Sequence, residues 1–300
     1  MPTPPDDAFA LDRRAVRRAF SRAAATYDDV AVLQREVGKR MRERLDYVKV
    51  APQMVIDAGC GTGDALPQLA ARFPQASVIG IDIALPMLAK AAVRVKPRSW
   101  FARLAGTGAR TPLLACADID ALPLRAHAAG LLWSNLALQW VDDPARTLAE
   151  FARVLDVGGL VSFTTFGPDT LREVRSAFDD GRPHVSRFID MHDLGDALVG
   201  AGFADPVMDM EYITLTYATP RAMLRELKGL GATNALAGRS RGLYGKAAFA
   251  RAEAALEATR RDGRIAATFE VIYGHAWKVP AKHTREGHAI VHFDPAAGRS

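Results

Sequence analysis

The chain has 300 residues, of which 49% are hydrophobic and 24% charged, with a net charge of +5 at pH 7. That composition is globular and the length allows one large α/β domain or a domain with an insertion; it excludes a disordered chain. Only two cysteines are present, Cys60 and Cys116, which excludes a disulfide scaffold and fits a reducing cytoplasm.

No apolar run is long enough to cross a bilayer, and the first residues carry no apolar signal core. The positive charge suits an acidic partner or substrate. No segment interleaves basic and aromatic residues as a nucleic-acid surface would, so neither nucleic acid nor membrane is expected as a partner. No Cys/His cluster has metal-ligand spacing, and no metal is expected.

Residues 11–48 carry helical periodicity and read as an N-terminal helical lid. Val16, Phe20, Ala23 and Ala24 fall toward one side, with Arg13, Arg14, Arg17, Arg18 and Arg22 around them. Those arginines form either a solvated helix face or a docking surface for an anionic partner. A second helix is predicted from Val32 to Leu45. Residues 49–218 then read as an α/β core. Strands are predicted at Met54–Ala58, Ser77–Asp82, Leu113–Ala117, Ala129–Ser134 and Leu160–Phe166. Helices alternate with them at Ala65–Phe73, Leu85–Val95 and Pro144–Leu155. Residues 96–112 read as an irregular connection, and Gly158-Gly159 as a turn. This alternation implies a doubly wound, Rossmann-like parallel sheet with helices on both faces.

Past Phe166 the pattern changes. Pro168–Asp179 and Ile189–Ala201 look helical, and Met210–Tyr217 alternates like a strand. A helical block at 219–262 interrupts a terminal hairpin and is expected to cap the mouth of the cleft. The last core strand falls within 263–279, at Ala267–Trp277, and 280–300 reads as a polar, frayed tail.

The densest chemical signal is Val55-Ile56-Asp57-Ala58-Gly59-Cys60-Gly61-Thr62-Gly63. A buried strand ends in an acid and enters a turn with alternating glycines, which lets the backbone approach a ligand closely. Asp82 closes the next strand about 20 residues on, where an acid can accept from a ribose, and Ile83 follows it. A dinucleotide fingerprint has Gly-x-Gly-x-x-Gly spacing and sets a pyrophosphate on the helix N-terminus. Here the spacing differs, and Asp57 would repel that pyrophosphate while attracting an ammonium. The charges favour S-adenosylmethionine over NAD.

Further candidates lie at the carboxyl ends of the strands, where open α/β sheets bind ligands. Ser134 and Asn135 are expected to face the reacting methyl group, with Leu136 and Trp140 as apolar wall, although Trp133 and Trp140 fit a plain core equally well. Asp118 and Ile119 are placed against an adenine, the alternative for Asp118 being a cap or turn. Tyr27 reads as a lid over the cofactor or as a core aromatic. His184 and Arg187 fall on a loop able to reach the same crevice. Arg187 suits a carboxylate clamp or an exposed surface, and His184 suits a cap or core position at least as well.

Together, Phe20-Ser21-Arg22-Ala23-Ala24-Ala25-Thr26-Tyr27-Asp28, the Asp57–Gly63 loop, Trp133-Ser134-Asn135-Leu136-Ala137-Leu138-Gln139-Trp140 and Phe163-Thr164-Thr165-Phe166-Gly167-Pro168-Asp169-Thr170-Leu171 resemble the malonyl-acyl-carrier-protein O-methyltransferases of biotin synthesis. Pro183-His184-Val185-Ser186-Arg187-Phe188, Leu227-Lys228-Gly229-Leu230-Gly231-Ala232 and Tyr273-Gly274-His275-Ala276-Trp277 extend the likeness to roughly residues 13–279. The glycine loop is shared by all class I methyltransferases; the later motifs are more specific. The connection near 103–112 is longer than usual for the family. The resemblance implies S-adenosylmethionine as methyl donor and the free carboxylate of a malonyl thioester as acceptor. It also implies an acidic, helical carrier as partner and a methyl ester that primes pimeloyl synthesis. The carrier is expected to dock on the basic N-terminal helix or on Arg221, Arg225, Arg239 and Arg241 of the cap. The chain is also similar to complex I assembly factors described as arginine hydroxylases, and a methyltransferase for another small acid is a further reading. Fold by itself does not separate these.

Overall fold

The computed structural model describes residues 11–96, 110–178, 188–230 and 245–280. Three N-terminal helices, α1 (Arg13–Ala23), α2 (Tyr27–Val30) and α3 (Val32–Arg44), precede the sheet. Then come β1 (Met54–Ala58), α4 (Leu66–Arg72), β2 (Ser77–Asp82), α5 (Leu85–Val95), β3 (Leu113–Cys116), β4 (Ala129–Asn135), α6 (Pro144–Val154) and β5 (Leu155–Phe166). The last part holds α7 (Arg172–Ala177), α8 (Met191–Gly200), β6 (Phe203–Tyr217), α9 (Pro220–Gly229), α10 (Lys246–Ala258) and β7 (Ile265–Lys278).

The seven strands lie in the order β3-β2-β1-β4-β5-β7-β6. The first five are parallel, β7 runs antiparallel to β5, and β6 runs antiparallel to β7. Chain direction across the sheet reverses between β1 and β4, so the crevice at their carboxyl ends is the switch point where a ligand sits in such sheets. Both faces are covered. On one, Val55, Leu131 and Trp133 pack with Leu33, Val37 and Met41 of α3. On the other, Ile56, Leu132 and Phe163 pack with Phe151 of α6 and Leu198 of α8. Successive residues of β1 and β4 thus serve opposite layers, the period-two rule of a strand buried on both sides.

The central strands coincide with the sequence expectation because each is a short apolar run closed by an acid or a turn. Three segments differ. β5 begins at Leu155 rather than Leu160, since Leu155 already pairs with Ala129 across a register shift. Gly158, at φ +80°, bends the strand without ending it. The helix expected from Pro168 is shortened to α7. Ahead of it, Asp169 donates its N–H to the Glu270 carboxylate at 2.7 Å, and Leu171 donates to the Thr268 carbonyl at 2.7 Å. Leu171 itself sits at φ +55°. β6 starts at Phe203 instead of Met210, with a register shift between Ala204 and Val207 around Pro206.

The glycine turn is conformationally committed. Gly59 has φ +81°, and a Cβ there would lie 2.4 Å from the Ala137 Cβ. Gly59→Ala therefore adds left-handed strain to a packing clash and should lower the unfolding free energy by about 2–4 kcal/mol. Urea melts measure this. A loss under about 0.5 kcal/mol, the size of an ordinary surface substitution, would show that the turn relaxes freely.

Candidate functional site

The crevice is built from the turn after β1 upward. Gly59 and Cys60 donate their N–H groups to the Ile81 carbonyl at 2.8 and 2.9 Å, which ties the turn to β2. Asp82 then accepts from Gly61 N–H at 2.9 Å through one carboxylate oxygen and from Ala84 N–H at 2.8 Å through the other. Each oxygen keeps room for a second donor. Burial raises the Asp82 carboxyl to about 6, with those two N–H groups pulling the other way. Asp57, at the end of β1, is 2% exposed. Burial first, then the nearby Asp82 and Asp64 carboxylates, push it up to about 8.

The N-terminal helices roof this turn. Asp12 caps α1 by accepting from Ala15 N–H at 2.9 Å. Val16, Ala19 and Ala23 face inward, and the Phe20 ring meets Trp140 edge-on at 5.2 Å. Arg13 departs from the expected solvated face. It turns inward to pair with Asp118 and, at 2.6 Å, with Asp120. Burial raises the Asp118 carboxyl, with its Asp120 neighbour adding to the rise and Arg13 opposing it. A second anchor holds α2. Thr62 Oγ1 donates to Asp28 at 2.6 Å, and Arg94 of α5 donates to Asp28 at 2.8 Å and to the Thr62 carbonyl at 2.7 Å. Asn135 braces α3 against the sheet. Its amide nitrogen donates to the Gln34 carbonyl at 3.0 Å, and its oxygen accepts from Thr164 at 2.8 Å. Gly38 permits that approach, since a Cβ there would lie 2.9 Å from the Asn135 amide nitrogen.

Beneath the roof lie two adjoining chambers that share Tyr27, Gly59, Gly61 and Asn135 as walls. The first has an apolar lining of Val16, Phe20, Met87, Ile119, Leu136 and Trp140, with Asp82, Ile83 and Asp118 at its edge. The second is polar and is bounded by Asp57, Asp64, Thr62, Gln34, Arg42 and Trp133, among others. Three of these residues carry buried polar atoms without a hydrogen-bond partner: Gln34 Oε1, Arg42 Nη1 and Trp133 Nε1. Burial of the Tyr27 phenol, and then the Asp82, Asp28 and Asp64 carboxylates, raise its pKa and keep it neutral.

Of the residues singled out in the sequence, Tyr27, Asp57, Gly59, Gly61, Asp82, Ile83, Asp118, Ile119 and Asn135 line one chamber or both. Ser134 and Gly63 line neither. The Ser134 hydroxyl turns into the sheet and donates to the Ala58 carbonyl at 2.9 Å, so it joins β4 to β1 and does not face the cleft. Gly63 shapes the turn from behind, donating to the Cys60 carbonyl at 2.8 Å. His184 and Arg187 lie outside the described residues. Gln34, Arg42 and Arg94 were missed. For the first two a signal existed: Gln34, Gly38 and Arg42 recur every fourth residue, a polar row on α3 beside the buried row Leu33, Val37 and Met41. Among the described residues no group of three or more His, Cys, Asp or Glu side chains is placed to hold a metal ion. No described helix is long and apolar enough to cross a membrane.

The Asp57 shift carries a sign. An aspartate titrates near 3.9 in an unfolded chain, and here it holds its proton up to about 8. Between those values the folded protein binds more protons than the unfolded one. Stability of the ligand-free protein should therefore fall as pH rises from about 5 to about 8. Asp57→Asn should flatten that slope. Urea midpoints across this range test it, and an identical slope in the variant would assign the effect to another group.

A methyltransferase domain family model matches residues 56–163. The malonyl-[acyl-carrier protein] O-methyltransferase of Gallionella capsiferriformans is 53% identical over 94% of this chain and 97% of its own length. Its counterpart from Laribacter hongkongensis is 52% identical over 97% of this chain and 99% of its own. Among solved structures, the complex between the Haloferax volcanii Trm112 activator and a methyltransferase contains a similar chain, with a TM-score of 0.56 at 19% identity over 90% of this chain and all of that one. The Haemonchus contortus phosphoethanolamine N-methyltransferase 2 complex with S-adenosyl-L-methionine reaches a TM-score of 0.52 at 19% identity, over 87% of this chain and 57% of that one. At those identities the structures speak for the class I methyltransferase fold alone. Both relatives match over at least 94% of each chain, and the chain belongs to the malonyl-[acyl-carrier protein] O-methyltransferase family.

Proposed function

We propose that this methyltransferase moves a methyl group from S-adenosylmethionine to the free carboxylate of malonyl-acyl carrier protein, giving the methyl ester that primes pimeloyl synthesis. The acceptor rests on one observation, identity above half with enzymes of that name over more than nine-tenths of both chains. The donor is supported by the charge pattern of the two chambers. The apolar chamber edged by Asp82 and Asp118 suits an adenosine, with carboxylates placed for the ribose hydroxyls and the adenine amino group. The polar chamber suits an amino-acid tail. Arg42 Nη1 and Trp133 Nε1 are buried donors without partners among the described residues, matching a carboxylate, and Gln34 Oε1 is a buried acceptor in the same chamber as Asp57, matching an ammonium. A buried polar atom left unpaired costs about 1–3 kcal/mol, so a ligand that pairs all three recovers much of that cost. A pyrophosphate would instead meet Asp57, Asp64 and Asp82.

When bound, S-adenosylmethionine supplies an electrophilic methyl group on a sulfonium. The protein need not supply a strong base, because the acceptor carboxylate is ionised at neutral pH. Its residues supply position and dryness. Asn135, held at both ends of its amide, fixes the wall between the chambers; Phe20, Leu136 and Trp140 exclude water from the apolar side. Alignment of this kind is worth several kcal/mol of barrier, on the order of 7–11 kcal/mol in the best cases. Arg187 is proposed to hold the malonyl carboxylate through paired hydrogen bonds. Such a cation positions the acceptor but also favours its charged ground state, so the benefit lies in KM more than in kcat.

The direct test mixes the protein with methyl-labelled S-adenosylmethionine and malonyl-acyl carrier protein, and the malonyl methyl ester is expected. Finding no ester would refute the reading. Arg42→Ala should weaken S-adenosylhomocysteine binding by roughly 10–100-fold, as loss of a charge-assisted pair predicts. It should leave 5′-methylthioadenosine, which lacks the amino-acid tail, within about twofold. Equal losses for both ligands in calorimetry would remove Arg42 from the tail site. Arg187→Ala should raise KM for the malonyl substrate about tenfold or more with S-adenosylhomocysteine affinity unchanged, and an unaltered kcat/KM would dismiss that role.

A further inference from the structure

We infer that the outward face of α1 is the docking surface for the acidic carrier protein that brings the malonyl group. The inference rests on the acceptor proposed above and adds where its protein part binds. At about 100° per residue, Arg14, Arg17, Arg18 and Arg22 fall within about 140° of arc on one side of α1. Val16, Ala19 and Ala23 take the opposite side and are buried. All four arginines are exposed. Arg18 makes one long contact with Asp12 at 3.8 Å. Arg14, Arg17 and Arg22 have no ion pair or hydrogen bond among the described residues. A row of guanidinium groups this close together repels itself, and an acidic partner relieves that repulsion.

Place supports the choice as well as charge. The inner side of the same helix lines the apolar chamber through Arg13, Val16 and Phe20. A carrier seated on the outer side therefore rests on the roof of the crevice its tethered acyl group must enter. The rival basic face is α9. There Arg221 is already engaged by Glu253 at 2.5 Å, Glu226 stands between Arg225 and Lys228 in the chain, and Arg239 and Arg241 lie outside the described residues. None of the described residues of α9 or α10 lines either chamber.

The experiment measures binding of dye-labelled malonyl-acyl carrier protein to the full chain by fluorescence anisotropy, at low and at raised salt. Wild-type protein should bind, and added salt should weaken binding. The double reversal Arg14→Glu/Arg17→Glu should weaken it by about tenfold or more, while Arg14→Lys/Arg17→Lys and Arg225→Glu stay within about twofold. S-adenosylhomocysteine affinity of the double reversal, measured by calorimetry, should match wild type and show that the roof still folds. No carrier binding by wild type, an unaffected double reversal, or a larger loss from Arg225→Glu would each overturn the docking surface. A parallel assay with the small thioester malonyl-N-acetylcysteamine separates this from the activity. Normal methylation of both thioesters by the double reversal removes the docking surface and leaves the function standing. Carrier binding through α1 with neither thioester methylated by wild type removes the function instead.

Discussion

Three carboxylates crowd one glycine turn, and the rest of the molecule is arranged around that crowding. The Asp82 and Asp64 carboxylates both press on Asp57, and burial makes that repulsion stronger because little water remains to screen it. Asp82 is relieved by two backbone N–H donors. Asp57 is relieved by holding a proton far above the usual carboxylate range. A site left in this condition favours any ligand that brings positive charge to the turn. The glycines serve the same turn: Gly59, Gly61 and Gly63, at φ +81°, +53° and +78°, hold the left-handed conformations that carry the backbone past the acids.

The roof follows from this arrangement. Helices α1 and α2 carry little apolar surface of their own, with only Val16, Ala19 and Ala23 fully buried on the first and Tyr27 half-buried on the second. Their attachment is correspondingly polar. Arg13 reaches down to Asp118 and Asp120, and Asp28 is gripped by Thr62 and Arg94. Both attachments use charge-assisted hydrogen bonds, which are directional and fail over a short displacement. A cover fixed by a large apolar interface would not part readily. One held by two small charged clusters is the weaker attachment, since it rests on a few directional bonds.

How much of this was legible depended on whether the deciding partner was near in sequence. β1, β2 and α5 were fixed by local features, an apolar run before an acid or a proline at a helix start, and the chamber acids Asp57 and Asp82 followed from them. Arg13 was misread because it lies at the border of the inward face of α1, and only the folded chain brings Asp118 beneath it. The shortened α7 could not be foreseen from its own residues, since the carboxylate that delays its start belongs to Glu270, 101 positions after Asp169. Ser134 was placed at the right strand end, but its hydroxyl found the Ala58 carbonyl inside the sheet. Arg42 was the readable omission, marked by a polar row on an otherwise apolar side of α3.

The outermost strand carries a different consequence. β6 runs for 15 residues with one flank unpaired among the described residues, and a long open flank of that kind invites another chain to add itself to the sheet. Here Pro206 withholds a donor, the shifted register beside it breaks the ladder, and Asp205, Asp209 and Glu211 place negative charge along the strand. Arg44 and Arg40 of α3 clasp Asp209 and Glu211 at 2.5 Å. Together these features disfavour the addition of another strand along that flank.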